Sequence, residues 1–147
     1  MLGYRECVVA VIRSEDGKIF CGERSDRPGV WQLPQGGVDT GETHEGALFR
    51  ELQEEIGCCD VKVELTLKDK ISYDFPENLA APIAKKFRGQ IQTWYLLSFL
   101  DGANPSLEDS DGEFSNFAWK TPKELIDGVV AWKRSAYELG FKKLKIH

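Results

Sequence analysis

Residues 36–58 read GGVDTGETHEGALFRELQEEIGC, and a loop, a helix and a line of carboxylates follow one another within that segment. Gly36, Gly37 and Gly41 permit a tight loop whose main chain can approach a ligand closely. Thr40 or Thr43 offers an N-cap, and Gly57 suits the left-handed turn that closes a helix, so the spacing predicts a helix running to Gly57. Within it Glu51, Glu54 and Glu55 fall at i, i+3 and i+4, inside about 100° of helix arc. Leu48, Phe49, Leu52 and Ile56 occupy the neighbouring arc and pin the helix to a core. Like charges at this spacing repel unless a cation binds among them. Carboxylate oxygens suit a hard divalent ion, Mg²⁺ or Mn²⁺, and the chain offers no sulfur or imidazole cluster in their place. The run Arg50-Glu51-x-x-Glu54-Glu55 alone also describes an ordinary salt-bridged helix face. The glycines and Glu42 ahead of it favour the metal site.

At 147 residues the chain is sized for one domain, 1–147, with a substantial core. Its start, MLGYRECVVAVI, shows no basic region followed by a long apolar run and a cleavage site, and no later stretch approaches a membrane span. A cytoplasmic protein with no membrane partner is expected. Cys7, Cys21, Cys58 and Cys59 lack zinc or redox spacing and read as reduced core or boundary thiols. The formal charge of −5 looks unfavourable for a polyanion partner, but six acids and one base lie within 36–58, whereas 133–147 hold five bases and one acid. Divalent ions neutralise the first segment. The basic tail is either a solvated helix end or a surface beside a polyanion.

Outside the acidic helix, residues 6–13 and 18–24 read as strands joined by a polar turn ending in Gly17. Residues 61–71 and 90–100 read as further strands, with 74–89 irregular between them. Residues 101–113 form a surface loop and 114–120 a last strand. Thr121-Pro122-Lys123-Glu124 is a capping box with proline at the first helical position, predicting a helix on towards Leu139. Strands mixed with helices on this scale mean an α/β layer structure.

The acidic segment also fits the pattern G-x5-E-x7-R-E-U-x-E-E-x-G-U, where U is a bulky aliphatic residue, through Gly36, Glu42, Arg50, Glu51, Leu52, Glu54, Glu55 and Gly57; only Cys58 departs, at the last U. Seven fixed positions, each met by chance at roughly 7%, give a random match on the order of one in 10^8 per starting point. The pattern is the Nudix box, and the chain resembles a Nudix hydrolase. WQLPQGG before the box, GYR near the start, GQIQTWYLL, EFSNFAW and VVAWKRSAY resemble the bacterial RNA pyrophosphohydrolases, also described as dinucleoside polyphosphate hydrolases.

That resemblance implies an α/β/α sandwich around a mixed β-sheet with a catalytic loop-helix-loop. It implies metal-dependent hydrolysis of the 5′-triphosphate of RNA to a 5′-monophosphate, which marks the transcript for decay, with GTP, ATP and Ap4A as related substrates. Glu51, Glu54 and Glu55 match metal ligands, one of which can double as general base, and the carbonyl of Gln35 or Gly36 is a further ligand. Arg50 orients a carboxylate. Glu113 matches a distal glutamate that joins a second metal or acts as base, the alternative being a solvated loop acid. Arg24 matches a phosphate contact, or else forms a surface ion pair. Arg5 and Trp132 match positions that sandwich the terminal base, the alternative for Trp132 being helix core. Gln35, Gly37 and Lys133 complete the substrate set, and Lys133 with Arg134 can meet backbone phosphates. His44 and His147 are not read as ligands, and Trp31 and Trp94 are read as packing residues. A homodimer through a strand edge or residues 74–89 is left open. The competing readings are a hydrolase of free nucleotides, an inactive nucleotide sensor, and a Nudix-type isomerase, which lacks its Cys and Glu acid–base pair here.

Overall fold

The computed structural model describes residues 2–147. Strand β1 (Tyr4–Ile12) reaches β2 (Ile19–Arg24) through a turn in which Gly17 adopts φ 87°. Two short strands follow, β3 (Trp31–Gln32) and β4 (Gln35–Gly37), then helix α1 (His44–Ile56). Thr43 is the N-cap, its hydroxyl accepting from Gly46 N at 3.0 Å. Gly57 ends the helix at φ 66°, where a Cβ would meet Ser106 O at 2.0 Å.

Beyond α1 come β5 (Val61–Thr66), β6 (Ile71–Asp74), a short α2 (Ile83–Lys86), the long β7 (Gly89–Phe99) and β8 (Phe114–Lys120). The continuous strand expected over 61–71 is instead two strands, laid end to end along the same edge of β7. The charged run Lys68-Asp69-Lys70 bulges out between them, where Lys70 pairs with Glu6 and Asp69 with Lys143. Residues 74–89 are closed at their base by Tyr73↔Gln90 and Asp74↔Gly89 pairing.

The helix expected from 121 to about 139 is also divided. The capping box forms, with Thr121 and Glu124 bonded reciprocally, but α3 (Pro122–Gly128) stops after seven residues. Gly128 followed by the β-branched Val129 and Val130 is a weak helical sequence, and both valines turn to extended ψ angles. Ala131–Lys133 then form one 3-10 turn before α4 (Arg134–Lys143), and Arg134 Nε donates to Ile126 O, covering the end of α3.

β1 and β7 run parallel at the centre of a mixed five-stranded sheet ordered β4-β1-β7-β5, with β6 also on β7; β3-β2-β8 form a second, antiparallel sheet. Both faces of β1 are covered, so its apolar residues do not alternate with polar ones. Val8, Ala10 and Ile12 face Leu48, Leu52 and Ile56 of α1, whereas Val9 and Val11 join Trp94, Tyr137 and Phe141 on the other face. Helix, sheet and helix therefore stack as the expected α/β/α sandwich. Trp94 is fully buried, with Tyr137 and Phe141 packed edge-on at 5.8 and 5.9 Å. Gly140 admits the indole, since a Cβ there would lie 2.4 Å from the ring.

Tyr137 also ties α4 to the link between β3 and β4, its hydroxyl accepting from Leu33 N at 2.8 Å. Tyr137→Phe strands that buried amide, and we expect a loss of about 1–3 kcal/mol in urea unfolding. An unchanged unfolding midpoint would show that the bond carries no stability.

Candidate functional site

Two structural rows meet at the site: the acidic face of α1, and the polar end of the sheet face that farther along packs on α4. Arg50 organises the first. Its guanidinium donates to Glu42 at 2.7 and 3.0 Å, to Glu51 at 2.9 Å, to Glu54 at 3.3 Å and to Gly37 O at 2.8 Å. Glu42 also accepts from Asp39 N, and the guanidinium holds its carboxyl down to about 2. The loop 37–42 is thus bound to the helix through one side chain.

The three helix carboxylates do not share one environment. Glu54 is 46% exposed and turned to Arg50, whereas Glu55 is fully buried. Glu55 Oε2 accepts from Gln35 N at 3.0 Å, while its Oε1 has no partner. Burial, then Glu113 and then Glu51, raise the Glu55 carboxyl well above its usual range. Burial likewise pushes Glu51 up to about 6 against the pull of Arg50. Glu113 is exposed on its loop, yet desolvation on the side facing Glu55 raises its carboxyl too. Its loop is tied to the end of α1 by Asp111 N to Glu54 O and Ser106 N to Ile56 O, both 2.7 Å, and to the residue after β2 by Ser25 N to Glu113 O at 2.9 Å.

Among the described residues no three acidic, histidine or cysteine side chains are gathered closely enough to hold an ion as they stand. Glu51 and Glu54 both accept from Arg50 instead. The donor set nevertheless fits a hard divalent cation. It is all oxygen, its buried carboxylates are mutually repulsive, and Glu55 carries an unpartnered oxygen. Gly36 leaves room for a carboxylate against the main chain, because a Cβ there would sit 1.9 Å from Glu51 Cδ.

Beside the carboxylates lies a cleft of about 250 Å³ that gathers Arg5, Arg24, Gln35, Trp132, Lys133 and Glu113 from five separate stretches of chain. Gly37 does not line it but supports it, the Arg5 guanidinium lying where a Gly37 Cβ would be. Arg24 both lines the cleft and pairs with Asp26 at 2.7 Å. Trp132 lies in the 3-10 turn, where it packs on the core edge, faces the cleft and carries Arg27 over its ring at 5.9 Å. Lys133 is buried instead of lying on a basic surface; burial and Arg24 lower its ammonium to about 8, with Glu55 and Glu113 opposing. The remaining basic tail is elsewhere: Lys142 and Lys145 line a separate apolar cavity with Ile126 and Phe141, and Lys143 pairs with Asp69. His44 meets Glu6 at 3.2 Å, and Trp31 lies under Lys120.

The sequence reading missed Gln32, Tyr73 and Gln90 in this wall. Gln32 Oε1 and Tyr73 OH are buried without a partner. The available signal was the alternation of Gln90 and Gln92 with apolar residues in a strand buried on both sides. A larger cavity of about 840 Å³ lies between Arg13, Glu64, Asn104 and Phe117 and contains none of the expected site residues.

The NUDIX domain profile matches residues 3–140. An RNA pyrophosphohydrolase of Dinoroseobacter shibae is 39% identical over 145 residues, covering 95% of this chain and 91% of its own. Nudix hydrolase 25 of Arabidopsis thaliana is 33% identical over 92% of this chain and 83% of its own. The solved structure of the E. coli dihydroneopterin triphosphate pyrophosphohydrolase shares the fold, with a TM-score of 0.68 at 18% identity over 93% of this chain and 96% of that one.

If Glu51 ligates a cation against the Gly36 main chain, Gly36→Ala must displace it. We expect Mn²⁺ affinity, followed by electron paramagnetic resonance, to fall about tenfold or more. Unaltered affinity would remove Glu51 from the ligand set.

Proposed function

The chain belongs to the NUDIX domain family, and from that premise we propose a single catalytic domain that removes pyrophosphate from the 5′-triphosphate end of RNA to leave a 5′-monophosphate. The observation that carries this reading is the junction of buried carboxylates with a basic, aromatic cleft. The relatives named RNA pyrophosphohydrolase support it, matching this chain over most of their length.

In this reaction water adds to phosphorus, the anhydride P–O bond breaks, and the leaving oxygen takes the electron pair. Mg²⁺, or Mn²⁺ in its place, would supply charge neutralisation and Lewis acidity when bound. Glu51, Glu54, Glu55 and Glu113 would hold it, with the Gly36 carbonyl as a further oxygen. A carboxylate of this set, for which we choose Glu54, takes the proton of the attacking water. Arg50 keeps Glu51 and Glu54 oriented. Arg24 and Lys133 offset the charge of the phosphate chain, Lys133 from a buried position where a charge acts more strongly than in water. Arg5 and Trp132 flank the terminal base by stacking. Position and electrostatics thus supply most of the rate enhancement.

A second reading uses the same carboxylates and the same cleft and needs no path for a second nucleotide. GTP, ATP or Ap4A then serve as substrates through the same residues. We place the reaction in the cytoplasm, a reading that the four free thiols support. Among the described residues no helix is long and apolar enough to cross a membrane.

The deciding assay follows 5′-triphosphorylated RNA, GTP and Ap4A at equal concentration with Mg²⁺. We expect RNA to be converted fastest, EDTA to abolish turnover, and Glu54→Gln to lower kcat by about 100-fold or more. Brisk GTP or Ap4A hydrolysis with RNA left intact would assign the protein to free nucleotides.

A further inference from the structure

Three residues on one face of β7, Gln90, Gln92 and Trp94, form a hydrogen-bonded line from the core to the cleft. Trp94 Nε1 donates to Gln92 Oε1 at 2.9 Å. Gln92 Nε2 donates in turn to Gln90 Oε1 at 2.9 Å and to Gln35 Oε1 at 3.3 Å. An indole N–H can only donate, so the Gln92 atom facing it is the oxygen. That leaves only the Gln92 NH₂ for its two neighbours, which must then meet it with their oxygens. The polarity of three amides follows from one indole, without any choice between flipped forms.

The outcome falls on the cleft. Gln35 and Gln90 line it, whereas Gln92, 1% exposed, does not. With both oxygens turned inward to Gln92, both NH₂ groups are left for the cleft, and neither makes a hydrogen bond among the described residues. Tyr73 pairs in register with Gln90 and adds a buried, unpartnered hydroxyl to the same wall. We propose that Gln92 is a positioning residue that, locked by Trp94, makes this wall present N–H donors and so bind a polyphosphate chain by its acceptor-only oxygens. The proposal rests on the reading of the cleft as a triphosphate site and names the wall that takes the phosphates.

The test uses the full chain in EDTA, so that turnover does not intervene, with inorganic tripolyphosphate and guanosine as separate probes. Nuclear magnetic resonance follows the side-chain amide signals of Gln35 and Gln90. In the wild type both move on addition of tripolyphosphate. Gln92→Met keeps the volume and removes the relay, and it weakens tripolyphosphate binding by about tenfold while guanosine affinity holds. Should that variant not fold, Trp94→Phe removes only the indole donor and lowers tripolyphosphate affinity in the same selective way. Amide signals that stay still, unchanged tripolyphosphate affinity, or an equal loss for both probes overturns the proposal; so does a loss confined to guanosine. Hydrolysis of triphosphorylated RNA is scored separately. An enzyme inactive on RNA that keeps the selective loss would overturn the proposed reaction and leave the donor wall in place.

Discussion

The site depends on the guanidinium of Arg50, because acidic groups brought together along one helix raise the energy of the folded state unless something opposes their charge. Arg50 contacts Glu42, Glu51, Glu54 and the Gly37 carbonyl at once. The same contacts fix the glycine loop to α1, so neutralising the acids and shaping the loop are one interaction. Glu54 and Glu55 follow one another on the helix, about 100° apart, so Glu54 stays half-exposed beside Arg50 while Glu55 turns into the core. Hydrogen bonds to an ionised donor are the stronger kind, which suits a side chain asked to organise five acceptors.

The second constraint is the parallel pairing of β1 with β7. Register places Arg5 beside Gln90, Cys7 beside Gln92 and Val9 beside Trp94, so one face of the sheet changes from apolar to polar along its length. The apolar end packs on α4, and the polar end forms the floor of the cleft. α1 lies on the opposite face, but β4 pairs at the edge of β1 and carries Gln35 within reach of Glu55. Carboxylates from one layer and recognition groups from the other therefore meet around a single edge strand.

What was legible in the sequence follows the range of the forces involved. The cap at Thr43, the stop at Gly57 and the Thr121 capping box depend on neighbours within a few residues, and each was read from its own segment. The division of 121–139 was missed because a capping box declares where a helix begins and says nothing about its length; Gly128-Val129-Val130 ended it. The split of 61–71 was missed because apolar alternation runs on while Lys68, Asp69 and Lys70 find partners distant in sequence. Trp132 could be assigned either to base stacking or to packing, and it meets both the core and the cleft because a 3-10 turn holds it at their boundary. Lys133 was read as a phosphate contact, and no local pattern marks its burial beside Arg24, Glu55 and Glu113, which come from distant parts of the chain. The acidic motif was readable because a metal site needs several residues of one chemistry close together. The donor wall was not, since Gln35 and Gln92 are far apart in sequence and meet only through strand pairing.

The loop before β8 obeys a different rule from the helix it serves. Glu113 is held beside Glu55 by bonds from Ser106 and Asp111 to the end of α1 and from Ser25 to Glu113 itself, and each of these joins main-chain atoms only. Such bonds are indifferent to side-chain identity and fix the number of residues from 106 to 113, so that an insertion or deletion within the span shifts the glutamate out of phase with its partners. Composition is held at fewer points, at Gly112 with φ 86° and at Asp111, whose carboxylate accepts from Glu113 N at 3.0 Å. Residues 101–105, ahead of the first tether, are the place where length itself is free to vary.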